Sequence, residues 1–302
     1  MVTLIGVLRT LITARNPLNG LPYKGKKRIK FYNCLELNLT FPQFRDVRDC
    51  YRSLKKYDVK QVGEDSFEVD FKFFRITADA NTIRLITELF VHYKVFRLEN
   101  KNFRIEGNGF KLEGNFDMLP IVRELFLYGE HKRDFRGKVV LDIGGFQGES
   151  AVYFWHAGAK KLVIYEPIRE YCDQIIANMK LNDIVSEIHQ YGIGIKDARF
   201  LIDVFASDQP KKELVEVKNV SEALANSNAD IAKIDCEGAE ICLTSVPNEI
   251  LRKISFYMLE LHGVDIQKSV IKKFEAAGFE IKKFTKIKDG VSIVWFKRCS
   301  DS

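Results

Sequence analysis

Two short segments bring acids and an imidazole within two residues of each other. Asp235 and Glu237 lie in Lys233-Ile234-Asp235-Cys236-Glu237-Gly238-Ala239-Glu240, and Glu260 and His262 lie in Leu259-Glu260-Leu261-His262. Alternate residues of a strand project to one side, so each pair gathers on one face wherever strand geometry persists. Three acids and an imidazole so gathered can move a proton. An imidazole of ordinary pKa is largely unprotonated at pH 7 and can accept a hydroxyl proton, which makes His262 the expected base. Glu260 or Glu237 would orient the ring, while Asp235 faces a ligand or a reacting hydroxyl. The rival chemistry is a divalent cation on Asp235, Glu237 and His262, since hard oxygen ligands suit magnesium. No third carboxylate stands at clear ligand spacing, so a metal-free mechanism is expected. Glu240 reads as a first-turn acid favoured by the helix dipole.

A second constellation lies upstream. Val139-Val140-Leu141-Asp142-Ile143-Gly144-Gly145-Phe146-Gln147-Gly148-Glu149-Ser150 is a buried strand running into a glycine-rich turn and a helix start. Glycines there let backbone approach a ligand, and helix amides offer donors. The nicotinamide fingerprint Gly-x-Gly-x-x-Gly is absent, because this turn reads Gly144-x-Phe146-x-x-Glu149 on that frame. A dehydrogenase is thereby disfavoured. Glu166 follows Asp142 by 24 residues, in Tyr165-Glu166-Pro167. An acid at that strand end can accept both hydroxyls of a ribose.

The turn matches Asp-x-Gly-x-x-x-Gly, the first motif of class I methyltransferases that use S-adenosylmethionine. Asp142-Ile143-Gly144-Gly145, Tyr165-Glu166-Pro167, Asn178 to Asn182, the Lys233–Glu240 block and Leu259-Glu260-Leu261-His262 together resemble the FkbM-type methyltransferase family over residues 110 to 297. The block Lys-Ile-Asp-x-Glu-Gly-Ala-Glu is the most specific of these. One departure is Gly145-Phe146-Gln147-Gly148, where family members often carry Ala-Asn-x-Gly. The resemblance implies a seven-stranded sheet with a final antiparallel strand, bound S-adenosylmethionine, and methylation of a hydroxyl on a sugar or small molecule. It implies a donor site built from Asp142, Gly144, Gly145, Gly148, Glu166 and Asp235. Asp142 would meet the donor's ammonium group or a water.

The elements that must position these residues are legible as alternation. From about residue 138, β-branched runs alternate with amphipathic stretches, the pattern of βαβ units on a parallel sheet. Strands are expected at 139–141, 162–165, 185–191, 230–235 and 255–261. Helices are expected at 149–157, 168–181, 221–226, 238–245 and 265–277. Ile168, Cys172, Ile175, Ile176 and Met179 form the apolar face of the second helix. Lys288-Asp289-Gly290 between two apolar runs predicts a closing hairpin. The expected fold is therefore α/β: a Rossmann-like, mostly parallel seven-stranded sheet over residues 115–302, with a C-terminal antiparallel hairpin. Residues 1–114 read as a small α+β extension. It has helical stripes at Phe44, Val47, Tyr51 and Leu54 and at Ile83, Ile86, Leu89, Phe90 and Tyr93, and strands at 67–71 and 103–105.

Composition narrows the classes further. The chain has 302 residues, 46% of them hydrophobic, with 7 prolines, so it carries a core and little of the composition of disorder. No apolar run approaches the ~20 residues of a membrane span, and the opening lacks the features of a secretory signal, so a cytoplasmic protein is expected. Six cysteines without a Cys-x-x-Cys pair read as reduced thiols. His92, His131, His156 and His189 read as surface or packing residues. Lys24, Lys26, Lys27, Arg28 and Lys30, with Arg45, Arg48, Arg52, Lys55 and Lys56, read as solvated faces. No specific nucleic acid is expected as a partner, and the oligomeric state is open. A tRNA base methyltransferase is the second reading, although no Asn-Pro-Pro-Tyr-like segment occurs. A non-catalytic S-adenosylmethionine-binding protein is the third.

Overall fold

A computed structural model describes residues 27–30, 36–39, 58–63, 67–70, 75–99, 102–204 and 211–299. The chain divides into two compact units. One comprises the described residues up to Asn108 together with Gly114–Leu127, and the other Gly109–Glu113 together with the residues from Tyr128 onward.

The second unit is built on seven strands: β1 (Val139–Ile143), β2 (Lys161–Tyr165), β3 (Ser186–His189), β4 (Ile231–Ile234), β5 (Phe256–His262), β6 (Phe279–Lys288) and β7 (Val291–Arg298). Their spatial order is β3-β2-β1-β4-β5-β7-β6. The first five run parallel, and β7 lies antiparallel to both β5 and β6. This is the expected Rossmann-like, mostly parallel sheet with its closing hairpin. β1 and β4 are buried along their whole length, so they read as apolar runs broken only by the buried charges Asp142 and Lys233. The helices α1 (Glu149–His156), α2 (Arg169–Leu181), α3 (Val220–Asn226) and α4 (Val264–Ala276) connect the strands. One core layer gathers Leu141, Ile143, Ala232, Ile234, Tyr257 and Leu259 with Leu224 of α3 and Phe274 of α4.

Several sequence expectations need correction. On α2, Cys172, Ile175 and Met179 are buried, but Ile176 is exposed and Ile168 precedes the helix. Neighbouring helical positions lie about 100° apart, so Ile175 and Ile176 cannot both face the sheet. The segment 239–245 is a 3-10 helix. Between β3 and α3 the sequence reading assigned nothing, yet Gly192–Gly194, Ala198–Val204 and Lys211–Asn219 form a separate three-stranded sheet. Cys172, Cys236, Cys242 and Cys299 are free thiols, while Cys34 and Cys50 lie outside the described residues.

Within this unit, Asn178 and Asn182 pair with the backbone of Glu113 and Lys111 in a peptide-like way. The Asn178 amide accepts from Glu113 N–H and donates to Glu113 C=O, both at 2.8 Å, and it also donates to Gln147 C=O at 2.7 Å. Asn182 repeats the pattern with Lys111, at 2.8 and 2.6 Å. Each side-chain amide thus pairs with a residue's N–H and C=O as a neighbouring strand would, and Gln174 Nε2 adds a second donor to Glu113 C=O at 2.8 Å.

In the first unit, the helix Ala80–His92 is capped by Asp79, whose Oδ1 accepts from Asn81 N–H and Thr82 N–H. Ile83, Ile86 and Leu89 are buried as expected. Tyr93 does not continue the stripe: it follows the helix, and its hydroxyl donates to Phe126 C=O at 2.9 Å. Strands occur at Phe67–Asp70 and Asn102–Gly107, and also at Asp58–Gln61, Arg75–Ala78 and Lys94–Glu99. The stripe of Phe44, Val47, Tyr51 and Leu54 lies outside the described residues, as do the basic residues Lys24, Lys26, Arg45, Arg48, Arg52, Lys55 and Lys56. The side chains of Lys27, Arg28 and Lys30 are likewise undescribed. Among the described residues no helix is long and apolar enough to cross a membrane.

Candidate functional site

The parallel strands of the second unit end on one edge, where Asp142 in β1 and Glu260 and His262 in β5 meet the glycine turn, Glu166 and the segment from Asp235 to Glu240. After β1 the chain turns at Gly144, with φ of +81°, and donates N–H from Gly144 to Tyr165 C=O at 2.9 Å. A Cβ on Gly144 would overlap the backbone carbonyl of Asp235. At Gly145 a Cβ would meet Ile164 Cγ2 at 2.5 Å, and at Gly148 it would meet Ile175 Cα at 3.2 Å. These glycines therefore let the turn pack against protein. The expected reason, space for the donor, is corrected: the first obstacle to a side chain at each is β2, β4 or α2. Phe146 also holds positive φ, 44°, and its ring meets Tyr171 edge-on at 4.7 Å.

Asp142 lies beneath the turn, fully buried. Its Oδ2 accepts from the Ser150 hydroxyl at 2.5 Å, and its Oδ1 is 3.5 Å from Lys233 Nζ. Burial raises its pKa, with Lys233 and Ser150 pulling the other way. The expected direct contact with a donor's ammonium is corrected accordingly, because this carboxylate faces the interior. Glu149, the first residue of α1, is also buried, and its Oε2 finds no hydrogen-bond partner. Burial pushes its carboxyl up to about 8.

Glu166 sits at the end of β2, 4% exposed. Its two oxygens accept from Phe146 N–H and Ile168 N–H, each at 3.0 Å. Burial pushes its pKa up to about 7, against the pull of those two amides. One lone pair on each oxygen is used, which leaves a second on each for a ligand's hydroxyls.

The His262 corner is more closed than the sequence suggests. His262 Nε2 lies 3.5 Å from Glu237 Oε2, 3.7 Å from Glu260 Oε1 and 4.0 Å from Asp235 Oδ1. Glu260 and His262 share a face of β5 as expected, but β4 ends at Ile234 and Glu237 has a left-handed φ of 51°. Asp235 and Glu237 thus meet the imidazole through a turn, and not through strand alternation. The residue that reading missed is Glu240. It is wholly buried, accepts from Cys236 N–H at 2.7 Å and Gly238 N–H at 3.0 Å, and faces His262 Nδ1 at 3.3 Å. It is a first-turn acid, as expected, and it also faces the imidazole that Glu260 or Glu237 was expected to orient. Its spacing after Gly238 was the available signal, since a carboxylate there can close on the amides of its own turn.

The protonation expected of His262 is corrected as well. The hydrogen bond to Glu240 pushes its pKa up to about 9, with burial opposing and Asp235 and Glu237 adding to the rise. Burial would raise Glu240, but the bonds from His262 and Cys236 hold it below its ordinary value. At neutral pH the corner is an imidazolium among four carboxyl groups. Ligand atoms of Asp235, Glu237 and His262 lie within 4.8 Å of one another, so the same three side chains could close on a divalent cation. The other histidines behave as packing residues: His131 stacks on Phe154 and His189 on Tyr165.

No protein-family model and no curated protein matches the chain. Among solved structures it is similar to SMU.776, assigned as a methyltransferase and complexed with SAH, at 10% identity and a TM-score of 0.47, over 90% of this chain and 87% of that one. It is also similar to the Methanococcus jannaschii fibrillarin pre-rRNA processing protein, at 9% identity and a TM-score of 0.41, over 80% and 97% of the two chains. An RNA methyltransferase assignment from Pyrococcus horikoshii, PH1948, gives 19% identity and a TM-score of 0.40, over 60% and 85%.

Proposed function

We propose that this chain is an S-adenosylmethionine-dependent methyltransferase acting on a hydroxyl of a sugar, glycan or other small-molecule acceptor. The observation that carries the reading is the flanking of one glycine turn by two chemistries. On one side Glu166 is tied to the turn through Phe146 N–H; on the other the Asp235 carbonyl lies against Gly144, next to the His262 corner. A diol acceptor and an acidic, imidazole-bearing corner on either side of one turn suit a ligand with a ribose at one end and a cation at the other. The resemblance of the five sequence blocks to the FkbM-type family favours the hydroxyl acceptor. We place the activity in the cytoplasm, which the free thiols among the described cysteines support.

Glu166 would hold the ribose, and Asp235 and Glu237 would face the cationic end of the donor. When bound, that donor supplies an electrophilic methyl group on a sulfonium. Glu240 fixes the imidazole through Nδ1 and leaves Nε2 as the atom that exchanges a proton with an acceptor hydroxyl. Nε2 must first lose its own proton. A cation brought into the corner repels the imidazolium and lowers its pKa, so occupancy of the corner and readiness of the base are linked.

Calorimetry with S-adenosylmethionine and S-adenosylhomocysteine tests the binding half of this reading. Labelled donor with cell extracts, followed by mass spectrometry of the products, tests the other half. A methylated glycan or small molecule is the expected product. Absence of donor binding would overturn the reading, and a methylated tRNA base would replace the acceptor class.

A further inference from the structure

Lys233 is the register partner of Asp142 across β1 and β4, and it is 7% exposed. Its ammonium faces three oxygens from three separate places, one hydrogen-bonded carbonyl and two carboxylates at ion-pair distance. Nζ donates to Gly144 C=O at 2.6 Å, lies 3.5 Å from Asp142 Oδ1, and lies 3.6 Å from Asp235 Oδ2. A buried ammonium persists only where opposite charges and hydrogen bonds offset its desolvation, and here Asp142 and Asp235 supply that compensation. Two of these three partners, the Gly144 carbonyl and the Asp235 carboxylate, belong to the loops that define the site. Holding Asp235 by Oδ2 leaves Oδ1 facing His262 Nε2. Holding the Gly144 carbonyl fixes the first peptide of the glycine turn.

We propose that Lys233 is a positioning residue that locks the glycine turn and the His262 corner into one geometry. The proposal rests on the methyltransferase reading. Lys233 acts from beneath the site through Gly144 and Asp235, so a donor-filled turn and a correctly faced Asp235 are set by the same ammonium. Removing that ammonium should leave the turn free to move relative to β4 and let Asp235 rotate away from the imidazole.

The obvious variant, Lys233→Met, leaves Asp142 buried without its partner and is expected to lose stability. The informative variant is therefore the full chain carrying K233M with D142N, which removes both charges and keeps side-chain size. Melting midpoints and calorimetric affinity for S-adenosylhomocysteine are measured on the wild type, on both of these variants and on Lys233→Arg. The expected result is a double variant with most of its stability restored but affinity still reduced tenfold or more, and a Lys233→Arg variant that recovers part of that loss. Recovery of wild-type affinity together with stability in the double variant would overturn the proposal, since Lys233 would then only neutralise Asp142. If the wild type itself binds no S-adenosylhomocysteine, the methyltransferase reading fails separately. The lysine is then judged on the crystal structure of the double variant, where displaced residues 144–148 and a rotated Asp235 carboxylate support the role and an unchanged geometry overturns it.

Discussion

The backbone carbonyl of Asp235 occupies the place a Cβ on Gly144 would need, so the turn after β1 and the end of β4 meet at backbone contact. A substitution there acts on the fold before it acts on any ligand. Gly144→Ala combines that overlap with a left-handed φ, and should cost about 3 kcal/mol or more, at the severe end of single substitutions. Thermal melting checks this. A variant that melts with the wild type and loses only donor affinity would show that the turn yields locally.

Asn178 satisfies three backbone groups, Glu113 N–H, Glu113 C=O and Gln147 C=O, from a fully buried side chain. Asn178→Ala removes all three bonds, although Gln174 Nε2 still donates to Glu113 C=O at 2.8 Å, and should cost roughly 1–3 kcal/mol for each group left unsatisfied and dry. Denaturant titration should show a lower midpoint with an unchanged slope. Asn182→Ala, less buried, should cost less, and equal losses would contradict the burial argument.

Glu166 must be ionised to accept two hydroxyls, and in the free protein its pKa is about 7. Binding should therefore release a proton below pH 7, and donor affinity should fall as pH drops from 8 to 5.5. Calorimetry in buffers of different ionisation enthalpy reads that proton directly. Glu166→Ala removes two charge-assisted hydrogen bonds of about 1.5–3 kcal/mol each and should abolish the pH dependence with the affinity. Unchanged affinity in a folded variant would remove Glu166 from the site.

Glu149 carries a sign that can be worked out. Its folded pKa, about 8, stands above the ordinary 4.5, so between those values the folded state holds a proton that the unfolded chain releases. Its contribution to stability then falls as pH rises through that window. Glu149→Gln removes the titration, so its melting point relative to the wild type should rise by several degrees between pH 5 and pH 8.5. A constant difference between the two proteins at both pH values would show that Glu149 stays ionised.

His262 should be unreactive as a base until it loses a proton. In the free enzyme kcat/KM is expected to climb with pH toward about 9, while kcat, reporting the donor-bound state, levels off at lower pH. His262→Ala should reduce turnover about a hundredfold or more with donor affinity nearly intact. Glu240→Gln should move the kcat/KM inflection downward, because the ring loses its anionic partner on Nδ1. Chelator-sensitive activity restored by magnesium would favour the cation alternative at Asp235, Glu237 and His262.

Periodicity and turn chemistry were enough to read most of the sheet unit from the sequence. Val139–Ile143 and Ile231–Ile234 are buried on both faces and appear as apolar runs broken only by Asp142 and Lys233, and Asp289-Gly290 marks the hairpin by its turn preference. The three-stranded sheet over 192–219 was partly legible too, since Val215 and Val217 are buried at alternate positions of an otherwise polar stretch. The types of residue at the site were also written in the sequence. Their states were not. Whether Asp142 faces a ligand or Lys233, whether Gly144 makes room for a donor or for Asp235, and whether His262 is neutral or charged depend on distances between strands far apart in the chain. Glu240 illustrates the reason. Its position in the sequence permits a solvated helix-start acid, and only the folding of β5 beside the turn places His262 Nδ1 against it, in surroundings dry enough for that carboxylate to hold the imidazole's proton.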